Sequence, residues 1–300
     1  MRPKRAWLRW IAGSLGLLVV VGVALAPSWR NYHLPGRSVR IVRDVGYVPG
    51  ADAKHQLDLY LPTTQPPRPW PVVVFVHGGF WKPFDRRMLE PVTGLHGCVG
   101  VALANEGVAT AVLSYRQRPE AASLQDALDD IRRAVRWVVD NIHDHGGDPG
   151  RVYVVGHSAG ALFASLLATQ PEHLAKAGVT AGHVRGFAAL AGPYDLGRLA
   201  SFHDESLASK VRASLSAGDV ERYSPERQVR AGGPPLLLLV GADEDPFLIA
   251  EQRSMAAALR AVGGAVTAVE VPGEDHMGLV MHLSQENDRV RAALLQLIQR

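Results

Sequence analysis

The stretch that most constrains this chain is Gly156-His157-Ser158-Ala159-Gly160, which lies between an apolar strand run, Arg151 to Val155, and a helical run, Ala161 to Ala168. Reversing a strand into a helix within one or two residues crowds the backbone, so the central residue needs small neighbours on both sides. Glycines stand at both flanks. Such a turn lifts a serine hydroxyl above a sheet, at a helix N-terminus whose peptide dipoles favour negative charge. Ser158 is the candidate nucleophile. With thirty glycines in the chain the pentapeptide could arise by chance, so partners elsewhere must decide.

A nucleophile that attacks a carbonyl needs donors for the oxyanion it creates. Directly after the apolar run Val72 to Val76 stands His77-Gly78-Gly79-Phe80-Trp81. Glycines without side chains let backbone N–H groups approach an oxyanion, so Gly78 and Gly79, with the Ala159 amide behind the serine, are the expected oxyanion hole.

A serine hydroxyl also needs a base, and the base an acid to orient it. His276 follows the strand run Val266 to Val271, and Asp243, Glu244 and Asp245 follow the strand run Leu236 to Val240. The chain order is serine, acid, histidine. Counting three residues beyond Gly241 selects Glu244, whereas the Asp-Pro-Phe phrase selects Asp245, the preferred candidate; Asp243 is the third. Phe80, Trp81, Tyr115, Tyr194 and Met277 are candidates for the substrate pocket.

Strand and helix runs alternate along most of the chain. Arg40 to Tyr47 and Gln56 to Leu61 alternate partially, as half-buried edge strands do. Runs apolar on both faces, such as Val72 to Val76 and Val108 to Ser114, belong in a doubly covered parallel sheet. Between 124 and 142, Leu124, Leu128, Ile131, Val135, Val138 and Ile142 form one apolar stripe of a helix, with Ser123 and Asp126 as a capping box. Residues 193 to 230 lack a strand signal and read as a lid-like insertion. The fold class is therefore α/β, with catalytic groups at the C-terminal ends of the strands.

The formal charge of +3 does not point to nucleic acid, because no acid precedes Asp44 and the rest of the chain is net acidic. The basicity belongs to an N-terminal arm with Arg2, Lys4, Arg5 and Arg9, followed by an uncharged run from Trp10 to Trp29. Such a run is long enough to span a bilayer as a helix, with its basic flank cytoplasmic. An uncleaved signal anchor is expected over 1–38, with residues 39–300 as a catalytic domain outside the cytoplasm. A secreted form cleaved after Ala26 is the alternative, disfavoured by Pro27 at the next position. The single cysteine, Cys98, excludes an intrachain disulfide, and His143, Asp144 and His145 read as a solvated helix end, not a metal site.

From Trp70 onward, the chain resembles the α/β-hydrolase superfamily, in the carboxylesterase branch with a His-Gly-Gly-x-Trp loop. That branch includes relatives of hormone-sensitive lipase, isoprenylcysteine methylesterase and kynurenine formamidase. The resemblance rests on His77 to Trp81, Gly156 to Gly160 and Gly273 to His276. It implies an eight-stranded, mainly parallel sheet with the second strand antiparallel and helices on both faces. It also implies hydrolysis of a small ester or amide through Ser158, His276 and an acid, with no metal or cofactor. An amidase or arylformamidase and a non-catalytic binding module of the same fold are the alternative functions. Activity is expected to fall as pH drops through the ordinary histidine range, roughly 6 to 7. Oligomeric state is not written in the sequence.

Overall fold

The computed structural model describes residues 39–64, 69–79, 84–117, 123–285 and 288–299. The expected membrane anchor at 1–38 lies outside them; among the described residues no helix is long and apolar enough to cross a membrane.

Eight strands form one sheet: β1 (Val39–Gly46), β2 (Gln56–Pro62), β3 (Trp70–Val76), β4 (Ala109–Leu113), β5 (Gly147–His157), β6 (Val184–Leu190), β7 (Leu236–Gly241) and β8 (Val266–Val271). Their order across the sheet is β1-β2-β4-β3-β5-β6-β7-β8. β2 pairs antiparallel with both β1 and β4, and every other pairing is parallel. The central strands β3, β4, β5, β6 and β7 are apolar on both faces because both faces are covered.

The helices used below are α1 (Gly97–Asn105), α2 (Leu124–Asn141), α3 (Ala159–Thr169), α4 (Leu196–Leu199), α5 (Glu205–Ser214), α6 (Pro246–Ala261) and α7 (Arg289–Ile298). Two apolar cores flank the sheet. One takes Val72, Val74 and Val76 from β3 with Leu128, Ile131 and Val135 of α2 and Leu162 and Phe163 of α3. The other takes Val73 and Phe75 with Val99 and Leu103 of α1 and Val290 and Leu294 of α7. Alternate β3 side chains thus feed opposite cores, as the two-residue strand period requires. The capping box forms as read: the Ser123 hydroxyl accepts from the Asp126 amide, and the Asp126 carboxylate accepts from the Ser123 amide. Cys98 is buried beside the Val280 carbonyl, with Sγ 3.4 Å away, and burial pushes its thiol up to about 12. That environment suits packing, not nucleophilicity.

The parallel strands all end on the same side. β3, β5, β7 and β8 there deliver residues 77–79, 158, 242–245 and 272–277, so segments far apart in sequence converge on one rim.

Candidate active site

Ser158 sits where β5 becomes α3, with φ 56° and ψ −120°. A non-glycine residue adopts such a backbone only when its surroundings fix it, at a cost of order 1–3 kcal/mol. The fixing contacts are visible. The Ser158 amide donates to the Leu190 carbonyl at 2.8 Å, and its own carbonyl accepts from Ala161 at 2.9 Å. A Cβ at Gly156 would lie 2.1 Å from the Gly160 carbonyl oxygen, and one at Gly160 would lie 2.0 Å from that of Val76. Both flanking positions are therefore closed to any side chain.

The loops after β7 and β8 press against each other. A Cβ on Gly241 would meet the Glu274 carbonyl oxygen at 2.0 Å, and the Asp243 amide donates to that oxygen at 3.0 Å. This contact brings the His276 ring to Glu244, with Nδ1 and Oε2 separated by 2.8 Å. The Glu244 side chain is 5% exposed and that of His276 34%, so the acid is held beneath a ring that still reaches the cavity. The expectation that Asp245 fills this position is corrected. Asp245 is the N-cap of α6, where its Oδ1 accepts from the Phe247 amide at 2.8 Å. Pro246 in the first turn marks a helix start, so the Asp-Pro-Phe phrase signals a cap. The Asp245 amide in turn donates to Glu244 Oε1 at 2.9 Å, steadying the carboxylate that faces the ring. Asp243 points to solvent.

His157 has a part the sequence did not reveal. Its ring is buried with Nε2 2.8 Å from the His276 carbonyl oxygen, and the two rings lie 4.7 Å apart. Burial, then the nearby His276, depresses its pKa well below the ordinary value. A neutral ring donating Nε2–H to that carbonyl is the arrangement that satisfies both facts.

Gly78, Gly79 and Ala159 line the same cavity as Ser158 and His276. A Cβ at Gly78 would stand 2.8 Å from Ser158 Cβ, which shows how closely the loop after β3 approaches the serine. Gly79 has φ +91°, a conformation that favours glycine. Phe80 and Trp81 lie outside the described residues. Tyr115 and Tyr194 are corrected as pocket residues: both are fully buried. Tyr115 lies beneath the loop and donates its hydroxyl to the His77 carbonyl at 2.9 Å. The Tyr194 ring lies against Gly192 under the turn after β6, and its neighbour Pro193 reaches the cavity instead.

The cavity holds about 420 Å³. Met277 lines it, as the sequence suggested, but most of its apolar wall comes from residues not singled out there: Phe84, Met88, Leu199, Phe202, Leu207 and Phe247. Phe202 and Phe247 lie with ring centroids 4.9 Å apart, joining the segment between α4 and α5 to α6. The available signal was the presence of Leu199, Phe202 and Leu207 in an otherwise polar segment. Glu251 of α6 anchors that segment from below. Its buried carboxylate accepts from the Tyr194 amide at 2.6 Å, the Asp195 amide at 2.8 Å and Arg198 Nε. Asp195 caps α4 through the Arg198 amide at 2.9 Å and takes Arg227 Nε at 2.8 Å.

The BD-FAE family model matches residues 57–259. Isoprenylcysteine alpha-carbonyl methylesterase ICME of Arabidopsis thaliana is 30% identical over 288 residues, covering 91% of this chain and 65% of that protein. Esterase LipQ of Mycobacterium tuberculosis is 30% identical over 262 residues, covering 81% of this chain and 59% of the relative. The chain thus spans somewhat under two thirds of the length of each. Among solved structures, esterase B of Lactobacillus rhamnosis superposes with a TM-score of 0.76 at 22% identity, covering 100% of this chain and 95% of the other. The family-model match, together with these relatives and the eight-stranded sheet, shows that the chain belongs to the BD-FAE family, within the carboxylesterase-like α/β-hydrolases.

Proposed function

We propose that this protein is a serine hydrolase of carboxylic esters with an apolar acyl or alcohol group. Ser158 attacks the ester carbonyl, and His276 takes its proton and then returns it to the leaving alkoxide. Glu244 orients the ring through Nδ1 and stabilises the imidazolium. The amides of Gly79 and Ala159, with that of Gly78 alongside, hold the oxyanion. Water then repeats the sequence on the acyl-enzyme.

The observation that carries this reading is the single cavity lined by Ser158, by the His276–Glu244 pair and by Gly78, Gly79 and Ala159. Among the described residues its apolar wall is built mainly from phenylalanine, leucine and methionine, and no lysine or arginine lines it. A charged acyl group would be buried there without a partner, at a cost of several kcal/mol. The substrate class is therefore neutral and apolar. The segment carrying Leu199, Phe202 and Leu207 serves as the lid over it.

Steady-state hydrolysis of p-nitrophenyl esters from acetate to decanoate tests this, with Ser158→Ala as control. The reading expects turnover that rises with chain length to an optimum beyond acetate and that vanishes in the variant. An equal rate on the matching anilides would shift it to an amidase. Wild-type inactivity on every ester and anilide would leave a binding module.

The run from Trp10 to Trp29 is read as a membrane anchor that holds the catalytic domain outside the cytoplasm. Protease accessibility of the domain in intact cells tests it, and full protection would refute it.

A further inference from the structure

An oxyanion hole works only if its amides are aimed before the reaction begins. Amides on glycines are the least constrained by their own backbone, so something beyond the glycines must hold Gly78 and Gly79. The buried layer beneath them supplies it. Gln117, two residues after Tyr115 beyond the end of β4, is fully buried. Its Nε2 donates to the Gly78 carbonyl at 3.2 Å, and its Oε1 accepts from the Phe84 amide at 3.2 Å. Only one orientation of the amide satisfies both contacts, since a carbonyl faces one end and an N–H the other. Gly78 O also accepts from His77 Nδ1 at 2.8 Å, while Tyr115 holds the preceding carbonyl at 2.9 Å.

We propose that Gln117 is a positioning residue of the oxyanion hole: it fixes the peptide between Gly78 and Gly79 so that the Gly79 N–H is aimed at the reacting carbonyl. The geometry follows from the planar trans peptide, whose N–H is antiparallel to its C=O. The C=O is held toward Gln117 and His77, neither of which lines the cavity. The N–H on the far side is thereby directed toward the cavity that Gly78 and Gly79 do line. Through Phe84, the same side chain ties the far end of the loop, where the Phe84 ring forms part of the cavity wall and lies against Gly79. One buried amide thus couples the position of an oxyanion donor to the wall of the substrate pocket.

This inference rests on the proposed serine hydrolase and is tested on the full chain with a p-nitrophenyl ester. Gln117→Leu keeps the bulk and removes both hydrogen bonds. Its kcat is expected to fall about tenfold to a hundredfold, up to the loss of one oxyanion donor, with KM within threefold of wild type. The inhibition constant of an alkyl trifluoromethyl ketone, which forms an oxyanion on Ser158, is expected to rise by the same factor. A residue that only supported the fold would not move kcat and that constant together while sparing KM.

Gln117→Glu provides the second reading should the leucine variant fail to fold. A protonated glutamic acid can donate to Gly78 O and accept from the Phe84 amide as glutamine does, and an ionised one cannot donate. The ratio of variant to wild-type kcat is therefore expected to decline with rising pH. A leucine variant with wild-type kcat, or one whose loss lies in KM, overturns the proposal, as does a glutamate variant whose ratio is flat between pH 6 and 9. If wild type itself turns over no ester or anilide, the proposed function fails; if wild type is active and these variants match it, only this inference does.

Discussion

His276 and Glu244 meet through Nδ1 and Oε2 at 2.8 Å, one residue before the aspartate that the local motif favoured. Two adjacent carboxylates thereby receive separate tasks: Glu244 faces the imidazole, and Asp245 starts a helix.

That division can be separated by mutation. Glu244→Gln leaves the shape and removes the charge, and kcat is expected to fall about ten-thousandfold, as when a triad acid is neutralised. Asp245→Ala should lose about 1 kcal/mol of stability as a lost cap, with kcat within a fewfold of wild type. Steady-state kinetics and urea melts on both variants check it; the reverse pattern would return Asp245 to the ring.

The glycines of the elbow are fixed by space. Gly160→Ala would push a methyl to 2.0 Å from the Val76 carbonyl oxygen, so at least about 3 kcal/mol of destabilisation is expected. At Gly182 a Cβ would meet nothing nearer than 3.7 Å, and alanine there should change stability by less than about 0.5 kcal/mol. Equal melting temperatures for the two variants would contradict the close crossing of β5 and α3.

The segment over the pocket depends on a buried acid. Glu251→Ala leaves the amides of Tyr194 and Asp195 and the Nε of Arg198 without their acceptor, while Glu226 still takes the Arg198 Nη groups, at an expected cost of about 3 kcal/mol or more. Thermal unfolding with and without a bound phosphonate inhibitor measures this; wild-type stability in the variant would mean that the segment is held elsewhere.

Three of the four histidines buried among the described residues, His77, His96 and His157, should make the fold acid-labile. Burial lowers His77 to about 4 and His96 to about 3, and holds His157 well below its ordinary value. The unfolded chain protonates these rings near pH 6.5 and the folded one much lower, so their stabilising contribution is complete above pH 6.5 and lost as pH falls. Glu90, raised to about 7 by burial, titrates in the opposite sense over the same interval, although Arg43 Nη1 lies 2.6 Å from its carboxylate. Counting His77, His96, His157 and Glu90 alone, the net of two protons corresponds to a fall of up to about 2.7 kcal/mol per pH unit between pH 6 and 5, and His173, also lowered by burial, acts in the same sense. Urea midpoints across that interval give the slope, and a flat profile would contradict the burial of these rings as neutral species.

Much of this architecture was legible because its causes are local. Runs apolar on both faces forced a covered parallel sheet, and the Gly156 to Gly160 turn marked where a strand passes into a helix. What could not be read depended on contacts between distant segments. Glu244 is selected by the packing of Gly241 against Glu274, and no feature within residues 243 to 245 encodes that approach. Counting from Gly241 pointed to Glu244 and the Asp-Pro-Phe phrase pointed to Asp245, because the phrase reports a helix start. Tyr115 and Tyr194 are aromatic residues near the rim, yet one lies beneath the loop after β3 and the other against Gly192. The pocket wall drew instead on Leu199, Phe202 and Leu207, whose segment has no periodicity to show which side chains turn inward.

The central claim is that Ser158 is a nucleophile activated by its surroundings. Labelling the intact protein with a fluorophosphonate and locating the adduct by peptide mass spectrometry tests it most directly. A single adduct on Ser158, lost in Ser158→Ala and slowed at least a hundredfold in His276→Ala, is the expected result. No adduct, or one on another residue that persists in Ser158→Ala, would contradict the account.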